Sequence, residues 1–376
     1  MKIKLYNKIA KCGLDRFPAS YEIGEQLENE DGIALRSADL HGVEFPESLK
    51  GIARAGAGVN NIPLDVCTEK GIAVFNTPGA NARAVVELCL AGLLLSSRKV
   101  CDGVEWSKTL AGNPDALKIV EKEKSRFVGP EILGKTLGVI GLGAIGGAIA
   151  SAAAALGMRV LGYDPYVSVD AAWSIAPEVE KTEDLDQIFA EADYITVHVP
   201  SLPSTRGIFG KANIAKMKDG VRLLNLARAD LAVDEDILAG LESGKIAAYF
   251  TDFPTGALAG KPGVIATPHL GASTPEAEDN CAVMACEQLA DYLENGNIKN
   301  SVNMPAVRLG RALPNRIGVF YRKDEKTEEA VQKLLFGANL AKGVRGETVY
   351  ALCERDTAFD LDKISAVGGV LRVISY

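Results

Sequence analysis

Short apolar runs alternate with amphipathic stretches through most of the chain, which is typical of an α/β protein. In the first hundred residues this pattern predicts strands at 33–36, 51–54 and 72–75, and then a long helix over residues 81–98. Residues 107–127 are polar and rich in lysine, so we interpret them as a surface excursion or linker.

From residue 136 to residue 266 the alternation is more regular. The predicted strands are 136–140, 159–163, 194–199, 222–225, 247–250 and 264–266, and the predicted helices are 144–156, 184–190, 211–217 and 234–243. Because strands alternate with helices, right-handed crossovers should build a parallel sheet that is covered on both faces.

The pattern changes again after Thr274, where an acidic amphipathic helix runs to about Asn295. Pro305 and Pro314 flank a predicted linker. Beyond it, strands at 316–321, 348–353 and 370–374 and a helix at 327–336 predict a small α+β domain.

Composition narrows the class of protein. Apolar residues make up 47% and charged residues 24% of the 376 positions, which is ordinary for a globular chain. With 41 basic and 49 acidic residues the net charge is −8, so we expect neither nucleic acid nor a membrane as a partner. The N-terminus has no apolar signal core, and the most apolar helical stretch is far shorter than the ~18 residues that span a membrane. Seven scattered cysteines without a C-x-x-C pair predict reduced thiols, a cytoplasmic location and no metal site.

A glycine-rich turn carries the cofactor prediction. Gly141, Gly143 and Gly146 form G-x-G-x-x-G between a predicted strand and a predicted helix. Such a turn lets a pyrophosphate approach the backbone at a helix N-terminus. Asp164 ends the next strand, near the position expected for the acid that binds the ribose hydroxyls. Because a carboxylate there would repel a 2′-phosphate, we predict NAD rather than NADP.

Catalytic candidates follow other predicted strands. His269 lies at the carboxyl end of a strand and suits acid–base chemistry, because histidine titrates near working pH. Arg228 could hold a carboxylate bidentately, although a surface salt bridge is the alternative. His198 could be structural or could line the cofactor, and His41 is most simply a surface residue.

Together these residues resemble the D-isomer-specific 2-hydroxyacid dehydrogenases. The motifs that carry the resemblance are 54–61, 76–81, 141–146, Asp164, 198–200, 203–205, 225–228, Asp252 and 268–274. The resemblance implies a Rossmann-type doubly wound parallel sheet inserted into a discontinuous flavodoxin-like substrate domain, followed by a small C-terminal ACT-like α+β domain. The implied boundaries are 1–98 and 276–310 for the substrate domain, 99–275 for the NAD-binding domain and 314–376 for the ACT-like domain. Homodimers or homotetramers are usual in the family.

The resemblance also implies roles for single residues. His269 would be the acid–base group, and Arg228 would hold the substrate carboxylate and the reacting oxygen. The implied substrate-binding residues are Arg36, Arg54, Ala57, Gly58, Val59 and Asn81. The implied NAD-binding residues are Thr77, Gly141, Gly143, Ala144, Ile145, Gly146, Asp164, His198, Val199, Leu226, Ala227, Asp252 and Gly271.

The leading function is NAD-dependent oxidation of a phosphorylated 2-hydroxy acid. A hydroxypyruvate or glyoxylate reductase of the same fold is one alternative, and a catalytically weak NAD-sensing protein is another.

The sequence departs from the family pattern in three places. Ala229 and Asp230 stand where most members have two glycines. A glutamate that pairs with the catalytic histidine normally follows the aspartate matching Asp252, but Gly256 and Ala257 stand in that stretch. Three outcomes are open: another carboxylate such as Glu276 or Glu278 takes the place of this glutamate, a water molecule does so, or the enzyme is slower. In the C-terminal domain, residues 321–327 lack the Asn-x-Pro-Gly turn that binds amino-acid effectors in related domains.

Overall fold

The computed structural model describes residues 1–168 and 172–376. The chain forms two compact units, one of residues 1–81 and 274–376 and the other of residues 82–273. Within the described part of the chain, no helix is long and apolar enough to cross a membrane.

The first unit begins with a five-stranded parallel sheet. Its strands are β1 (Lys2–Tyr6), β2 (Glu22–Gly24), β3 (Gly32–Leu35), β4 (Gly51–Arg54) and β5 (Ala73–Phe75), with helices α1 (Lys11–Leu14) and α2 (Leu64–Glu69) between them. The strand order β2-β1-β3-β4-β5 is that of flavodoxin-like folds. The sequence predicted β3, β4 and β5 but neither β1, in which lysines alternate with apolar residues, nor the three-residue β2.

The second unit is built on a seven-stranded sheet. Its strands are β6 (Thr136–Ile140), β7 (Arg159–Tyr163), β8 (Glu180–Lys181), β9 (Tyr194–Val197), β10 (Val221–Asn225), β11 (Ile246–Thr251) and β12 (Val264–Ala266). Its helices include α3 (Ala82–Ser97), α4 (Val100–Lys108), α5 (Ala116–Glu123), α6 (Gly146–Ala155), α7 (Leu185–Glu191), α8 (Lys211–Ile214) and α9 (Asp234–Ser243).

All pairings in this sheet are parallel, in the order β12-β11-β10-β9-β6-β7-β8. Counted from β6, this is the 3-2-1-4-5-6 order of the Rossmann fold with one added strand, so the predicted fold class is confirmed for this unit. Every residue of the central strands β6 and β9 is buried, because helices cover both faces of the sheet. The strand order reverses between β6 and β9, and dinucleotides bind at such a switch point.

The segment 107–127, interpreted from the sequence as a surface excursion or linker, contains helical structure. Helices α4 and α5 and a 3₁₀ turn at Lys124–Phe127 occupy most of this region. No residue of the three elements is buried, as expected of a surface excursion. The sequence analysis assigned no helix to this segment, although lysine, glutamate, alanine and leucine are good helix formers.

The chain returns to the first unit with the long helix α10 (Pro275–Asn295). The segment that follows contains β13 (Ile317–Arg322), α11 (Glu325–Leu334), β14 (Asn339–Arg345), β15 (Thr348–Glu354), α12 (Leu361–Ser365) and β16 (Val370–Ser375). Its sheet is antiparallel with the order β14-β15-β13-β16, which makes a βαββαβ unit of ferredoxin-like topology. This confirms a small α+β unit, whereas its assignment as an ACT-like domain stays a prediction.

Both faces of this antiparallel sheet are covered. On one face Val319 and Val349 pack with Val331 and Ile364 of the two helices. The other face supplies side chains to the core that also contains α10, including Phe320, Tyr350, Leu352 and Ile374. The C-terminal segment therefore shares its core with the rest of the first unit.

A buried arginine fixes the connection between α10 and this sheet. The side chain of Arg316 is fully buried and forms an ion pair with Glu354. Its guanidinium also donates to the carbonyl oxygens of Asn295 at 3.0 Å and Gly310 at 2.7 Å. These bonds hold the end of α10, the linker and β15 around one cation.

Candidate functional site

The predicted cofactor and catalytic residues of the second unit lie along one edge of its sheet. They follow six of its seven strands: Gly141 after β6, Asp164 after β7, His198 after β9, Arg228 after β10, Asp252 after β11 and His269 after β12. Because all pairings are parallel, these positions share the carboxyl edge, where open α/β sheets bind ligands.

The glycine-rich turn has the geometry that a pyrophosphate requires. Gly141 has φ +93°, and a Cβ there would lie 2.6 Å from the carbonyl oxygen of His198. A Cβ on Gly146 would collide with the carbonyl oxygen of Gly141. Gly143, in contrast, faces open space with no atom within 4 Å of an added Cβ. The outer glycines thus build the tight turn, and the middle one leaves room for a phosphate beside the start of α6.

Asp164 lies next to this turn at the end of β7. Its Oδ2 accepts a hydrogen bond from the N–H of Leu142 at 2.9 Å, and its Oδ1 accepts one from the N–H of Tyr166 at 2.8 Å. The carboxylate is half-buried, and each oxygen retains a lone pair for a further donor. This arrangement fits the predicted contact with the ribose hydroxyls of NAD.

His198 is held as a neutral ring. Burial lowers the pKa of His198 to about 3, and its Nε2 is 2.8 Å from the hydroxyl of Thr196. A group with this pKa does not exchange protons near neutral pH. This agrees with both open interpretations of His198, a structural role and a place in the cofactor lining.

Arg228 is presented by a loop that a buried amide organises. Asn225 is fully buried; its Nδ2 donates to the carbonyl of Arg228 at 2.9 Å, and its Oδ1 accepts from the N–H of Ala227 at 3.2 Å. Arg228 itself is exposed, and its Nη1 donates to the carbonyl of Ala227 at 2.6 Å. Among the described residues it has no carboxylate partner, so the surface salt bridge is not formed and the guanidinium can receive an anion. The sequence analysis did not single out Asn225, although it begins the motif that ends at Arg228.

His269 occupies a strained loop after β12. Its φ of +57° lies in the left-handed region, which costs a non-glycine residue roughly 1–2 kcal/mol. Its N–H donates to the carbonyl oxygens of Thr267 at 2.9 Å and Asp252 at 3.1 Å. The residue is exposed, and within the described part of the chain no side chain forms a hydrogen bond with its ring.

The carboxylate of Asp252 holds this loop. Asp252 is 1% exposed; its Oδ1 accepts from the hydroxyl of Thr267 at 2.6 Å and from the N–H of Leu270 at 2.7 Å. Its Oδ2 accepts from the N–H of Gly271 at 2.7 Å. All three donors flank His269, so Asp252 acts as a positioning residue for the histidine. One lone pair of Oδ2 stays available, which leaves room for the predicted cofactor contact.

An aromatic ring lies beside the histidine in the stretch where the family glutamate is missing. The rings of Phe253 and His269 meet edge to face with centroids 5.2 Å apart. Gly256 is exposed, and a Cβ there would meet no atom within 4 Å. Of the acids considered as replacements, Glu278 pairs with Arg36 at 2.8 Å.

In the first unit, the predicted substrate-binding turn follows β4. The side-chain amide of Asn76 donates to the carbonyl of Ala57 at 2.7 Å, which helps to fix the turn that contains Gly58 and Val59. Arg54 Nε donates to the carbonyl of Arg36 at 2.9 Å. The structure therefore brings the two predicted arginines together, and it identifies Asn76 as a supporting residue that the sequence analysis did not assign.

A cavity of about 320 Å³ adjoins this turn within the first unit. Its charged lining residues are Lys8, Arg36, Glu278 and Asp279. The side chains of Arg36 and Glu278 are 43% and 45% exposed, and an ion pair this exposed contributes little to stability. A stronger anionic partner could therefore replace Glu278 beside Arg36.

The remaining predicted site residues differ in exposure. Gly143 and Ala144 are exposed, Asn81, Ile145, Val199 and Ala227 are half-buried, and Thr77, Leu226 and Gly271 are buried. The described residues contain no group of three or more acidic, histidine or cysteine side chains arranged for a metal.

Comparison with known proteins supports the assignment of a dinucleotide-binding dehydrogenase domain. Residues 91–271 match the family model described as "D-isomer specific 2-hydroxyacid dehydrogenase, NAD binding domain". The chain is 36% identical to D-3-phosphoglycerate dehydrogenase of Methanocaldococcus jannaschii over 83% of its own length and 60% of that protein. It is 35% identical to the Synechocystis protein of the same name over 81% of its own length and 54% of that protein.

Comparison with solved structures also supports the fold. The crystal structure of NAD⁺-bound 3-phosphoglycerate dehydrogenase from Entamoeba histolytica matches with a TM-score of 0.61 and 25% identity, covering 81% of this chain and 98% of that one. The chain spans only 54% to 60% of the length of the two curated relatives above.

The family model also confirms the predicted cofactor, because the part that matches is the NAD-binding domain. The turn at Gly141–Gly146 and the carboxylate of Asp164 have the geometry that this cofactor needs. The chain therefore contains the NAD-binding domain of the D-isomer-specific 2-hydroxyacid dehydrogenase family.

Proposed function

We propose that the protein oxidises D-3-phosphoglycerate to 3-phosphohydroxypyruvate with NAD, a step toward L-serine. The observation that carries this proposal is that Arg228 follows β10 and His269 follows β12, at the sheet edge that holds the dinucleotide turn, and that Arg228 has no carboxylate partner among the described residues. The relatives named D-3-phosphoglycerate dehydrogenase favour this substrate over other 2-hydroxy acids.

Proton transfer falls to His269 in this scheme. When bound, NAD supplies the acceptor for the hydride that leaves C2 of the substrate. The neutral imidazole takes the proton of the C2 hydroxyl, and the protonated ring returns it in the reverse direction. Arg228 places a positive charge beside the carboxylate and the developing carbonyl oxygen, where a planar guanidinium can form two hydrogen bonds.

Substrate anchoring falls to the first unit. We assign the carboxylate to the backbone N–H groups of the turn that contains Ala57, Gly58 and Val59. The phosphate would pair with Arg54 and Arg36, and it would displace Glu278 from Arg36. The exchange is favourable because a dianionic phosphate accepts more charge-assisted hydrogen bonds than one carboxylate does.

A substrate panel tests the proposal. Initial rates with NADH should show a much higher kcat/KM for 3-phosphohydroxypyruvate than for hydroxypyruvate. Arg54→Ala should raise the KM for the phosphorylated substrate while it changes the KM for hydroxypyruvate much less. Equal efficiency on the two substrates in the parent enzyme would overturn the choice of substrate.

The cofactor preference is tested in the same assay. Because Asp164 presents a carboxylate at this position, with both oxygens bonded to backbone N–H groups, a 2′-phosphate beside it would be repelled. We expect NADH to be preferred over NADPH by well over tenfold, and comparable efficiencies would contradict the role given to Asp164.

One observation favours a second function. Glu278 and Asp279 balance Lys8 and Arg36 in the cavity of the first unit, and such a balance suits an unphosphorylated substrate. A hydroxypyruvate or glyoxylate reductase would give the reverse ranking in the panel. A catalytically weak NAD-sensing protein, the third possibility, would bind the cofactor without turnover on any of these substrates.

The assembly and location of the protein complete the proposal. We place it in the cytoplasm, as a homodimer or homotetramer, and we assign the C-terminal βαββαβ unit an ACT-like role in assembly. The seven scattered cysteines, all within the described ranges, form no disulfide, which agrees with this location. The shared core of the first unit supports a structural role for the C-terminal segment. Weak or absent inhibition by millimolar L-serine would agree with this role, whereas strong cooperative inhibition would contradict it.

A further inference from the structure

A second cavity of about 750 Å³ lies in the second unit at the amino ends of β10, β11 and β12. It is bounded by Arg222, Ala247 and Val264 near the starts of these strands, by the end of α3, and by the turn around Lys261. Its volume is within the usual range for small-molecule sites. The residues assigned to NAD and to catalysis follow the opposite ends of these strands, so this cavity belongs to neither role.

Positive charge dominates the walls. Arg98, Lys99, Arg222 and Lys261 line the cavity, and the carboxylate among its lining residues is Asp102. Within the described ranges, none of the four cations forms an ion pair with a carboxylate. An excess of three positive charges is notable in a chain whose net charge is −8. Such a surface attracts small anions.

One of these cations is already fixed in position. Arg222 Nε donates to the carbonyl of Ser96 at 2.9 Å, and its Nη1 donates to the carbonyl of Gly220 at 3.3 Å. The guanidinium carbon lies 5.3 Å from the ring centroid of Tyr194. Nη2 has no acceptor among the residues that the structure describes. A guanidinium held in this way loses little entropy when it binds an anion.

The cavity also has an apolar side, formed by Leu95, Val128, Leu241 and Ile265. We propose that it binds a small organic anion, in which a carboxylate or phosphate group is attached to an apolar or aromatic body. The anionic group would contact Arg222, Arg98 and Lys261, and the apolar part would cover the aliphatic side chains. At about 3.3 Å per residue, the four steps along β10 from Arg222 to Leu226, where the Arg228 loop begins, span roughly 13 Å. The anion and NAD should therefore be able to bind at the same time.

Fluorescence titration of the 376-residue protein with 8-anilinonaphthalene-1-sulfonate tests the proposal, because this probe joins one sulfonate to aromatic rings. The titration is done with saturating NAD, so that the dinucleotide edge is filled. We expect one probe per chain, and we expect inorganic phosphate to displace it more strongly than sodium chloride of equal ionic strength. Arg98→Gln combined with Lys261→Gln should weaken probe binding about tenfold or more.

A matched control separates this site from general surface charge. Lys122 is an exposed lysine of α5 outside the cavity, and Lys122→Gln should leave probe binding unchanged. Arg98 and Lys261 are exposed, so their variants should keep the melting temperature of the parent. Three results would each overturn the proposal: the probe does not bind, the double variant binds it with the affinity of the parent, or NAD displaces it.

Discussion

Asp252→Asn should loosen the loop that holds His269. The buried carboxylate accepts three hydrogen bonds from this loop, at 2.6, 2.7 and 2.7 Å. The asparagine carbonyl can keep the bonds to Thr267 and Leu270. Its NH₂ group, however, would face the N–H of Gly271, which sets one donor against another in a site that is 1% exposed.

The size of the effect follows from these contacts. A hydrogen bond to a charged group contributes about 1.5–3 kcal/mol, whereas the left-handed backbone of His269 costs roughly 1–2 kcal/mol. The lost bond is therefore comparable to the strain that it offsets. Since 1.4 kcal/mol corresponds to about a tenfold change, we expect kcat to fall about 10- to 100-fold.

Two measurements together test this reasoning. Steady-state kinetics should show the loss in kcat, with a smaller change in the KM for NAD. Amide hydrogen exchange should show that Gly271 loses protection while Leu270 keeps most of it. Thr267→Val is a milder control, because it removes a hydroxyl donor but leaves the carboxylate and both backbone bonds, and it should lower kcat only several-fold.

The positioning role would be refuted by an Asp252→Asn protein with the parent kcat and unchanged protection at Gly271. A loss confined to the KM for NAD would instead assign the carboxylate to the cofactor alone.

Three further predictions concern other parts of the molecule. Because the pKa of His198 is lowered to about 3 from an ordinary value of 6.5, protons bind preferentially to the unfolded chain, and the stability of the fold should fall as the pH drops from about 6.5 toward 3. Thermal unfolding should show that His198→Gln loses less stability than the parent between pH 7 and pH 5. The same pH dependence of stability in the variant and the parent would contradict this role of His198. In denaturant titrations, Arg316→Ala should reduce the free energy of unfolding by about 3–5 kcal/mol, because Glu354 stays buried without its cation. The double variant Arg316→Met with Glu354→Gln should lose clearly less stability, and equal losses in the two variants would contradict the role given to this ion pair. Gly256→Glu would add a carboxylate at a position where a Cβ meets no neighbour, and this carboxylate should stabilise the protonated form of His269. The rate of the reductive reaction should then begin to fall at a higher pH than in the parent. An unchanged pH profile would show that another group already fills this role.

The parts of the fold that could be predicted from the sequence are strands with apolar runs and helices with a clear amphipathic pattern. Strands β6, β7 and β12 and helices α9 and α10 begin and end at the predicted residues. β14 was missed, because most of its residues are exposed at the sheet edge and lack a continuous apolar pattern.

In the candidate site, the positions of several residues could be predicted from the sequence, but their contacts could not. Gly141, Asp164 and Arg228 could be placed because each follows a recognisable strand, and parallel strands bring their carboxyl ends to one edge. The bonds from Asp252 to the loop of His269 could not be predicted, since they depend on a left-handed residue and on contacts across 15 to 19 positions. Only three-dimensional geometry shows that this buried carboxylate faces the histidine loop.

The most direct test of the central claim compares His269→Gln and Arg228→Gln with the parent enzyme in the reduction of 3-phosphohydroxypyruvate by NADH. Loss of general acid–base assistance should lower kcat about 10²- to 10⁴-fold in His269→Gln, while NADH binding, followed by its fluorescence, stays unchanged. Arg228→Gln should lower kcat/KM through both the KM for the keto acid and kcat. If His269→Gln turns over 3-phosphohydroxypyruvate at the parent rate, the histidine is not the proton donor and the account of this site is wrong.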